Sequence, residues 1–364
     1  MSETMQDSHA RIEAILNEYT LPVIGKPLSE VCRYDINSEE GLISIVLKSG
    51  FYANSLKEDV GKTLEQLVRD VNPGTRVAVT WHQQVFAHRT VGQAKPMPQV
   101  RNLIAISSGK GGVGKSTTSM NLALALKAEG AKVGLLDADI FGPSQSIMAG
   151  TAPDTRPEVK DQKFFMPINA HGLQLMSMGY LVTEETPVVW RGPKASGAFQ
   201  QLLNQTYWQD LDYLIVDMPP GTGDIQLTLS QSAPVTASVI VTTPQDIALL
   251  DAIKGIEMYR KVGIPILGII ENMSLHTCSH CGHTEAIFGE GGGQRIAETY
   301  QTSLLGALPL DLRIRRHADK GLPTVVAEPD SDIARFYREI AIRTACELAQ
   351  LPRASIIPNM SLVE

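Results

Sequence analysis

Apolar and polar positions follow two different patterns along the chain. From residue 103 onward, short and nearly continuous apolar runs alternate with longer segments in which apolar residues recur at helical spacing. A short apolar run without alternation is typical of a strand buried on both faces, as in a parallel sheet covered by helices. The predicted strands are 103–107, 132–137, 173–178, 213–217, 237–242, 264–271 and 303–307, and the predicted helices are 116–129, 194–205, 246–262 and 331–350. This succession predicts an α/β fold with a mainly parallel, doubly wound sheet.

The residues before this region show a different pattern, with alternating strands. The predicted elements are a helix over 10–19, strands over 41–48 and 76–81, and a helix over 56–71 between them. Residues 1–90 are therefore expected to form a small α+β domain. The stretch 91–101 has no regular pattern and contains one glycine and two prolines, so we predict a linker there and a second domain over 102–364.

Composition limits the classes of function that fit the chain. Its 364 residues are 43% hydrophobic, enough for a large core and for two domains. The formal net charge of −7 argues against a broad nucleic-acid-binding face. No stretch approaches the roughly 20 apolar residues that span a bilayer, and the start of the chain is polar. We therefore expect a cytoplasmic protein that binds neither nucleic acid nor membrane.

A glycine-rich segment between the first predicted strand and helix of the large domain fits the pattern G-x-x-x-x-G-K-[ST] of nucleotide-triphosphate loops. Its residues are Gly109, Lys110, Gly111, Gly112, Val113, Gly114, Lys115, Ser116 and Thr117. The glycines let backbone N–H groups face inward around phosphates at a helix N-terminus. Lys115 is expected to reach the β- and γ-phosphates of ATP, and Ser116 to place its hydroxyl on Mg²⁺. A glycine-rich turn is the alternative, and the strand–loop–helix setting favours nucleotide binding.

Lys110 is a second lysine in this segment, one position after the first glycine. A side chain at that position lies on the rim of the loop and does not easily fold back onto its own nucleotide. If two copies meet across a two-fold axis, each Lys110 could neutralise the phosphate charge that develops in the opposite site. A solvated lysine is the alternative.

Polar residues follow several predicted strands at their carboxyl ends, where ligand-binding groups gather in open α/β sheets. Asp137 and Asp139 lie at the end of the second predicted strand, and Asp139 is the candidate for orienting the attacking water. Asp217 begins a glycine-containing segment, as expected of an aspartate that holds Mg²⁺ through water beside a switch loop. Asn272 is a candidate adenine contact. Helix caps and turns are the alternative roles for all of these residues.

Two of the four cysteines form a C-x-x-C pair, Cys278 and Cys281. The four thiols do not form a secreted disulfide framework, so metal or redox chemistry fits them better. A zinc site or an iron–sulfur cluster usually takes four protein ligands, and the pair supplies two. His276, His280 or His283 could complete a zinc site within one chain, or a second protomer could supply a matching pair. A thioredoxin-like redox pair is less favoured, because such a motif opens a helix and Gly282 follows here in a loop.

Together these segments resemble the Mrp/ApbC family of iron–sulfur cluster carrier ATPases, within the deviant-Walker class that includes MinD and ParA. The matching segments are the loop 109–117, Asp137-Ala138-Asp139 running into Phe141-Gly142-Pro143-Ser144, Trp190-Arg191-Gly192-Pro193, 217–224, Glu271-Asn272-Met273 and the cysteine pair. Residues 10–88 resemble the small iron–sulfur assembly domain often fused ahead of this ATPase. Leu21-Pro22-Val23 stands where that domain commonly has an acidic Asp-Pro motif.

The resemblance implies a P-loop NTPase that works as a homodimer. It implies a [4Fe-4S] cluster bound between the two C-x-x-C pairs and transferred to apo-proteins, with ATP binding and hydrolysis altering the dimer. Two other classes remain open. A MinD/ParA-like partition ATPase on a membrane would need a basic amphipathic terminal helix, which residues 352–364 lack, and one on DNA fits poorly with the net charge. A zinc-stabilised NTPase regulator is the other.

Overall fold

The first part of the chain forms a small sheet with helices packed on one face. The computed structural model describes residues 3–39, 41–91, 94–139, 142–181 and 192–354. The elements of this first part are α1 (Glu3–Glu18), α2 (Leu28–Val31), β1 (Cys32–Glu39), β2 (Leu42–Ser49), α3 (Asn54–Val71) and β3 (Arg76–Gln83). β2 lies in the centre, antiparallel to β1 and parallel to β3. Its residues alternate between buried and more exposed positions, so the opposite face of the sheet is open.

The predicted helices and strands of this first part are present, but β1 was not predicted. Polar side chains occupy most of β1, and only its first residue, Cys32, is fully buried. An edge strand with one open face gives a weak hydrophobic signal. Its pairing partner β2, with four buried positions, has the pattern from which a strand could be predicted.

The second part of the chain contains one large sheet and two short hairpins. Its strands are β4 (Val100–Ser107), β5 (Val133–Asp137), β6 (Val159–Lys160), β7 (Phe164–Phe165), β8 (Ile168–Ala170), β9 (Leu173–Ser177), β10 (Leu211–Asp217), β11 (Ala237–Thr242), β12 (Ile266–Glu271), β13 (His276–Thr277), β14 (Thr284–Glu285) and β15 (Leu304–Ala307). The large sheet has the order β15-β12-β11-β4-β10-β5-β9-β8. Its neighbouring strands are parallel except for β8 and β9. The prediction of a mainly parallel sheet is confirmed.

Helices cover both faces of this sheet. They are α4 (Lys115–Ala128), α5 (Gln145–Met148), α6 (Gly192–Gln205), α7 (Asp224–Ser232), α8 (Asp246–Lys261), α9 (Gly292–Thr299), α10 (Leu312–Asp319), α11 (Thr324–Ala327) and α12 (Asp332–Ala349). Every residue of β5, β10 and β11 is buried, which requires a covering layer on each side. α4 and α12 pack against each other and against the sheet, and so do α8 and α9.

Several element boundaries differ from the prediction, and the start of β4 is the difference that affects the predicted linker. β4 begins at Val100, three positions before the predicted strand, and so overlaps the stretch 91–101 that we predicted as a linker. Arg101 and Asn102 interrupt the apolar run and hide the start of the strand. In the structure, the buried Asn102 amide nitrogen donates to the Phe86 carbonyl at 2.8 Å, and Arg101 pairs with Asp212 at 3.1 Å. Polar side chains can be placed in this strand because the folded chain supplies hydrogen-bond and ion-pair partners for them.

The small sheet unit contacts the far end of α4. Glu129, which follows α4, is almost completely buried, and its Oε2 accepts hydrogen bonds from the backbone nitrogen and the hydroxyl of Ser55, both at 2.9 Å. Ser55 lies in the first turn of α3, whose free N–H groups favour a negative partner. A second contact joins Lys26 to Glu347 of α12 at 2.8 Å. The small unit is therefore attached to two helices of the large sheet.

Substitution Glu129→Ala should lower the free energy of unfolding by about 1–2 kcal/mol, because it removes the acceptor of two hydrogen bonds at a helix terminus. Urea denaturation followed by circular dichroism measures this change. Glu58→Ala is the matched control, because Glu58 is exposed on α3 and, within the described ranges, its carboxylate pairs with Lys62 one helical turn away. Equal stability of the two variants would contradict the stabilising role of Glu129.

Candidate functional site

The predicted phosphate loop connects β4 to α4 at the carboxyl edge of the large sheet. Gly109, Lys110, Gly111, Gly112, Val113 and Gly114 form the loop, and Lys115, Ser116 and Thr117 form the first turn of the helix. The loop is fixed from the side, since the Gly221 backbone nitrogen donates to the Ser108 carbonyl at 3.0 Å. The free N–H groups of the first helical turn and the loop together suit a bound phosphate.

Two glycines of the loop are required by the packing around it. A Cβ atom at Gly109 would lie 2.1 Å from the backbone carbonyl carbon of Asp251, so the loop approaches α8 as closely as a glycine allows. Gly114 has a φ angle of +81°, and a Cβ there would lie 2.2 Å from the side-chain nitrogen of Asn272. Both contacts hold the loop in place between α8 and the end of β12.

Asp137 and Asp217 lie side by side at the carboxyl ends of β5 and β10, because the parallel register pairs these two positions. Both carboxylates are completely buried. The Lys115 ammonium reaches Oδ1 of Asp217 at 2.6 Å. The Ser119 hydroxyl donates to the same oxygen at 2.8 Å, and the Gln145 amide donates to Oδ2 at 2.9 Å. Lys115 and Asp217 were predicted to belong to one site, and the structure brings the two side chains into direct contact.

Asp137 is held by a different set of donors. Its Oδ2 accepts hydrogen bonds from the Ser177 hydroxyl at 2.9 Å and from the backbone nitrogens of Ser144 and Gln145 at 3.0 and 3.1 Å. Burial, followed by the negative charge of Asp217, raises the pKa of the Asp137 carboxyl well above its ordinary value. Among the described residues, two buried carboxylates therefore face one ammonium group, that of Lys115, and this arrangement favours additional positive charge at this edge.

Several atoms of the site fit a bound nucleotide and Mg²⁺. The Ser144 hydroxyl and the side-chain amide oxygen Oε1 of Gln145 are buried, and neither atom has a hydrogen-bond partner in the part of the chain that the structure describes. Oxygen ligands of this kind, with the hydroxyl of Ser116 and the carboxylates, suit a hard divalent cation. Ser119 and Gln145 were not predicted as site residues. Ser119 follows Lys115 by four positions on one helix face, and Gln145 comes directly after the segment ending in Ser144, so the sequence places both near the site, but it does not reveal their hydrogen bonds to Asp217.

Asp139 and Lys110 lie at the margin of the group of side chains around Asp137 and Asp217. Asp139 is half-buried, and its backbone nitrogen donates to Oδ1 of Asp137 at 3.2 Å. Lys110 is half-buried in the loop, and its carbonyl accepts a hydrogen bond from the Ser108 hydroxyl at 2.9 Å. Among the described residues, Lys110 forms no ion pair with a carboxylate. The roles of Asp139 with water and of Lys110 across a dimer remain predictions.

Asn272 lies against the phosphate loop. Its side-chain nitrogen donates to the Val113 carbonyl at 2.8 Å, and its backbone nitrogen donates to the Thr242 carbonyl at 2.7 Å. Asn272 was predicted to contact the adenine base, and that role remains a prediction. The contact with the loop backbone was not foreseen, because it depends on β12 ending two strands away from β4.

The cysteine pair lies on the β13–β14 hairpin, at the same edge of the sheet as the phosphate loop. The turn is closed by hydrogen bonds from the Cys278 nitrogen to the His283 carbonyl and from the Gly282 nitrogen to the Cys278 carbonyl, both at 2.9 Å. Cys278 is half-buried and Cys281 is exposed. The backbone N–H groups of Cys281 and then His280 lower the pKa of the Cys278 thiol below its ordinary value. This environment favours a thiolate.

The other possible metal ligands are not gathered around the pair. The His276 ring nitrogen Nδ1 lies 3.0 Å from the Leu310 carbonyl, and His280 and His283 are exposed. Within the described ranges, no group of three or more His, Cys, Asp or Glu residues is arranged to hold a metal ion. Cys32 and Cys346 are buried elsewhere, and burial raises the pKa of each thiol to about 12.

Some segments of the sequence analysis fall outside the described part of the chain. These are Phe141, Trp190, Arg191 and the terminal residues 355–364. Across the residues that are described, no helix combines the length and apolar character needed to cross a bilayer.

Comparisons with known proteins agree with this geometry. Residues 99–345 match the family model described as ParA, NUBPL iron-transfer P-loop NTPase. The chain is 46% identical over 354 residues to the iron-sulfur cluster carrier protein of Haemophilus influenzae, covering 97% of this chain and 95% of that protein. It is 60% identical over 258 residues to the protein of the same name from Pseudomonas fragi, covering 71% of this chain and 90% of that one. The nucleotide-binding protein of Archaeoglobus fulgidus in complex with ADP superimposes with a TM-score of 0.57 and 34% identity, covering 66% of this chain and 93% of that one.

Substitution Gly114→Ala should destabilise the nucleotide-free protein by about 1–2 kcal/mol, because a Cβ at a positive φ angle is strained and would press on Asn272. Thermal unfolding monitored by circular dichroism measures the change. Gly111→Ala is the matched control in the same loop, because a Cβ at Gly111 meets nothing within 4 Å and its φ angle is not positive. A Gly114→Ala protein as stable as Gly111→Ala would contradict the described loop packing.

Proposed function

The chain belongs to the ParA family of NUBPL-type iron-transfer P-loop NTPases, and we propose that it holds a [4Fe-4S] cluster between two copies of itself and transfers it to apo-proteins. It is an ATPase by fold and family, and its relatives are iron–sulfur cluster carrier proteins. The division into a small domain over 1–90, a linker over 91–101 and an ATPase domain over 102–364 is part of this proposal.

The observation that carries the cluster proposal is the contrast among the four thiols. Cys278 and Cys281 lie on an accessible hairpin, and the pKa of Cys278 is lowered by backbone N–H groups. Cys32 and Cys346 are buried, and their raised pKa values favour the neutral thiol. Since thiolates are the ligands of iron, the hairpin pair is the part of this chain suited to hold the cluster.

The number of thiolate ligands is the reason for proposing that a second copy of the chain completes the cluster site. A [4Fe-4S] cluster is held by four thiolates, and each hairpin supplies two. A two-fold axis next to the hairpins would bring two equivalent pairs together. Cys278 also borders an open groove of about 830 Å³, through which the thiols of a recipient protein could approach the cargo.

The proposed nucleotide site consists of the phosphate loop and the buried polar side chains beside it. The loop N–H groups and Lys115 would hold the phosphates of ATP, and Ser116 would contact Mg²⁺, with Asp217 holding the ion through water. Mg²⁺ supplies positive charge that stabilises the phosphate transition state. Asp139 would orient the attacking water, and Lys110 would reach the site of the partner copy. Release of Lys115 from Asp217 toward the phosphates would link nucleotide binding to the switch loop that follows Asp217.

Anaerobic reconstitution with iron and sulfide should give a brown dimer, because two hairpins complete the ligand set. Absorbance at visible wavelengths, iron and sulfide analysis and size-exclusion chromatography measure this. Cys278→Ala and Cys281→Ala should each lose most of the colour. Cys32→Ala should keep it, because Cys32 is buried in the small sheet unit.

A colourless wild-type protein that retains zinc would instead favour a zinc-stabilised NTPase regulator. Colour that survives in Cys278→Ala, or a protein that remains monomeric with cluster and ATP, would contradict the shared site.

Substitution Lys110→Ala should lower ATP turnover at least about tenfold while ATP binding is kept, because a charge supplied in trans acts on the transition state. Phosphate release measures turnover, and fluorescence of a labelled nucleotide measures binding. Lys62→Ala is the control, since Lys62 is an exposed lysine on α3. Turnover in Lys110→Ala equal to that of Lys62→Ala would remove the cross-dimer role.

A further inference from the structure

A short segment connects the phosphate loop to the cysteine hairpin. Asn272 contacts the loop, and only residues 273–277 separate it from Cys278. The contact between the Asn272 amide nitrogen and the Val113 carbonyl is 2.8 Å long and buried. A direct physical path therefore runs from the nucleotide site to the thiols within one chain.

The contact at the loop end of this path leaves little freedom. Gly114 lies so close to Asn272 that a Cβ would come within 2.2 Å of the amide nitrogen. On its other side, Asn272 is held in line with β11 by the hydrogen bond from its backbone nitrogen to Thr242. A displacement of the Val113 carbonyl must therefore either break the hydrogen bond or move Asn272.

The next residue forms a stiff turn. Met273 has a φ angle of +57°, in the left-handed region that side chains other than glycine rarely adopt. Such a conformation persists only where the surrounding contacts enforce it, and it is found preferentially at functional sites. The turn at Met273 directs the chain from the end of β12 toward the β13–β14 hairpin.

Beyond the turn, the segment is bonded to the chain that follows β15. The Ser274 nitrogen donates to the Leu308 carbonyl at 2.9 Å, and the Leu310 nitrogen donates to the Leu275 carbonyl at 2.8 Å. The His276 ring also lies 3.0 Å from the Leu310 carbonyl. These bonds anchor the segment and the base of the hairpin to residues 308–310, so a hydrogen-bonded segment, and not a free loop, connects Asn272 to Cys278.

We infer that Asn272 is a positioning residue that couples the state of the phosphate loop to the accessibility of Cys278 and Cys281. The inference rests on the proposed function for its biological purpose, since it gives ATP a route to the cluster ligands inside each subunit. A nucleotide can bias the thiols only if it binds one hairpin position better than another, and the coupling must then act in both directions.

Thiol alkylation tests the coupling without a cluster. Reduced, metal-free protein is treated with iodoacetamide under anaerobic conditions, and the modification of Cys278 and Cys281 is measured by peptide mass spectrometry. The rates are compared without nucleotide, with Mg-ADP and with a non-hydrolysable ATP analogue and Mg²⁺. Each nucleotide is used at a saturating concentration determined separately for every variant. Two protein concentrations distinguish coupling within a subunit from burial at a dimer interface.

Wild-type protein should show at least about a fivefold difference in Cys278 alkylation rate between nucleotide-free and nucleotide-bound states, independent of protein concentration. In Asn272→Ala this ratio should fall to about 1, because the bond to Val113 is lost. Ser274→Ala is the matched control and should keep the wild-type ratio, since its hydroxyl bonds to Glu271 and not to the loop.

Met273→Gly provides a second test that leaves the loop contact in place. This substitution should relax the turn and so lower the ratio of the Cys278 alkylation rates between the nucleotide-free and nucleotide-bound states. If Asn272→Ala fails to fold or to bind nucleotide, Met273→Gly tests the coupling in its place. A wild-type ratio of 1, or a wild-type ratio retained in Asn272→Ala or Met273→Gly, overturns the inference. Failed cluster reconstitution would count against the proposed function alone, because the alkylation rates do not depend on iron.

Discussion

The site depends on the buried ion pair between Lys115 and Asp217. The two side chains come from α4 and β10, and their 2.6 Å contact closes the phosphate loop onto the neighbouring strand. Asp137 adds a second buried carboxylate, and among the described residues no second ammonium lies beside it. A buried pair of this kind contributes little net stability, but loss of one partner leaves a costly unpaired charge. The arrangement therefore suits the binding of a nucleotide better than it serves as a stabilising device, and under the proposed function Mg²⁺ would supply the additional positive charge.

The parallel sheet explains why distant residues meet at this edge. All strands from β15 to β9 run in one direction, so their carboxyl ends lie together. Asp137, Asp217, Asn272 and the cysteine hairpin each follow such a strand end. This common edge brings the phosphate loop and the cysteine hairpin to one surface of the molecule. The hydrogen bond from Asn272 to the Val113 carbonyl is the contact through which we propose that the two affect each other.

The four cysteines show how burial separates chemical roles that residue type alone does not. Cys32 and Cys346 lie in the packed interior, where a thiolate is disfavoured by the lack of solvation. Cys278 and Cys281 lie on a surface hairpin, where backbone N–H groups stabilise the charged form of Cys278. Under the proposed function, this placement would leave the cluster ligands accessible to a recipient protein.

The amino-acid sequence by itself was sufficient to predict the parallel sheet and the position of Asp217 at a strand end, because both depend on local runs of apolar residues. It was also sufficient to locate the phosphate loop and the cysteine pair, because both are recognised by residue spacing. Tertiary structure alone decided the β1 edge strand, the start of β4 at Val100 and the contacts of Ser119, Gln145 and Asn272. Polar residues in those places give no periodic signal, since their partners are distant in the chain. Their hydrogen bonds exist only once the strand order has brought the partners together.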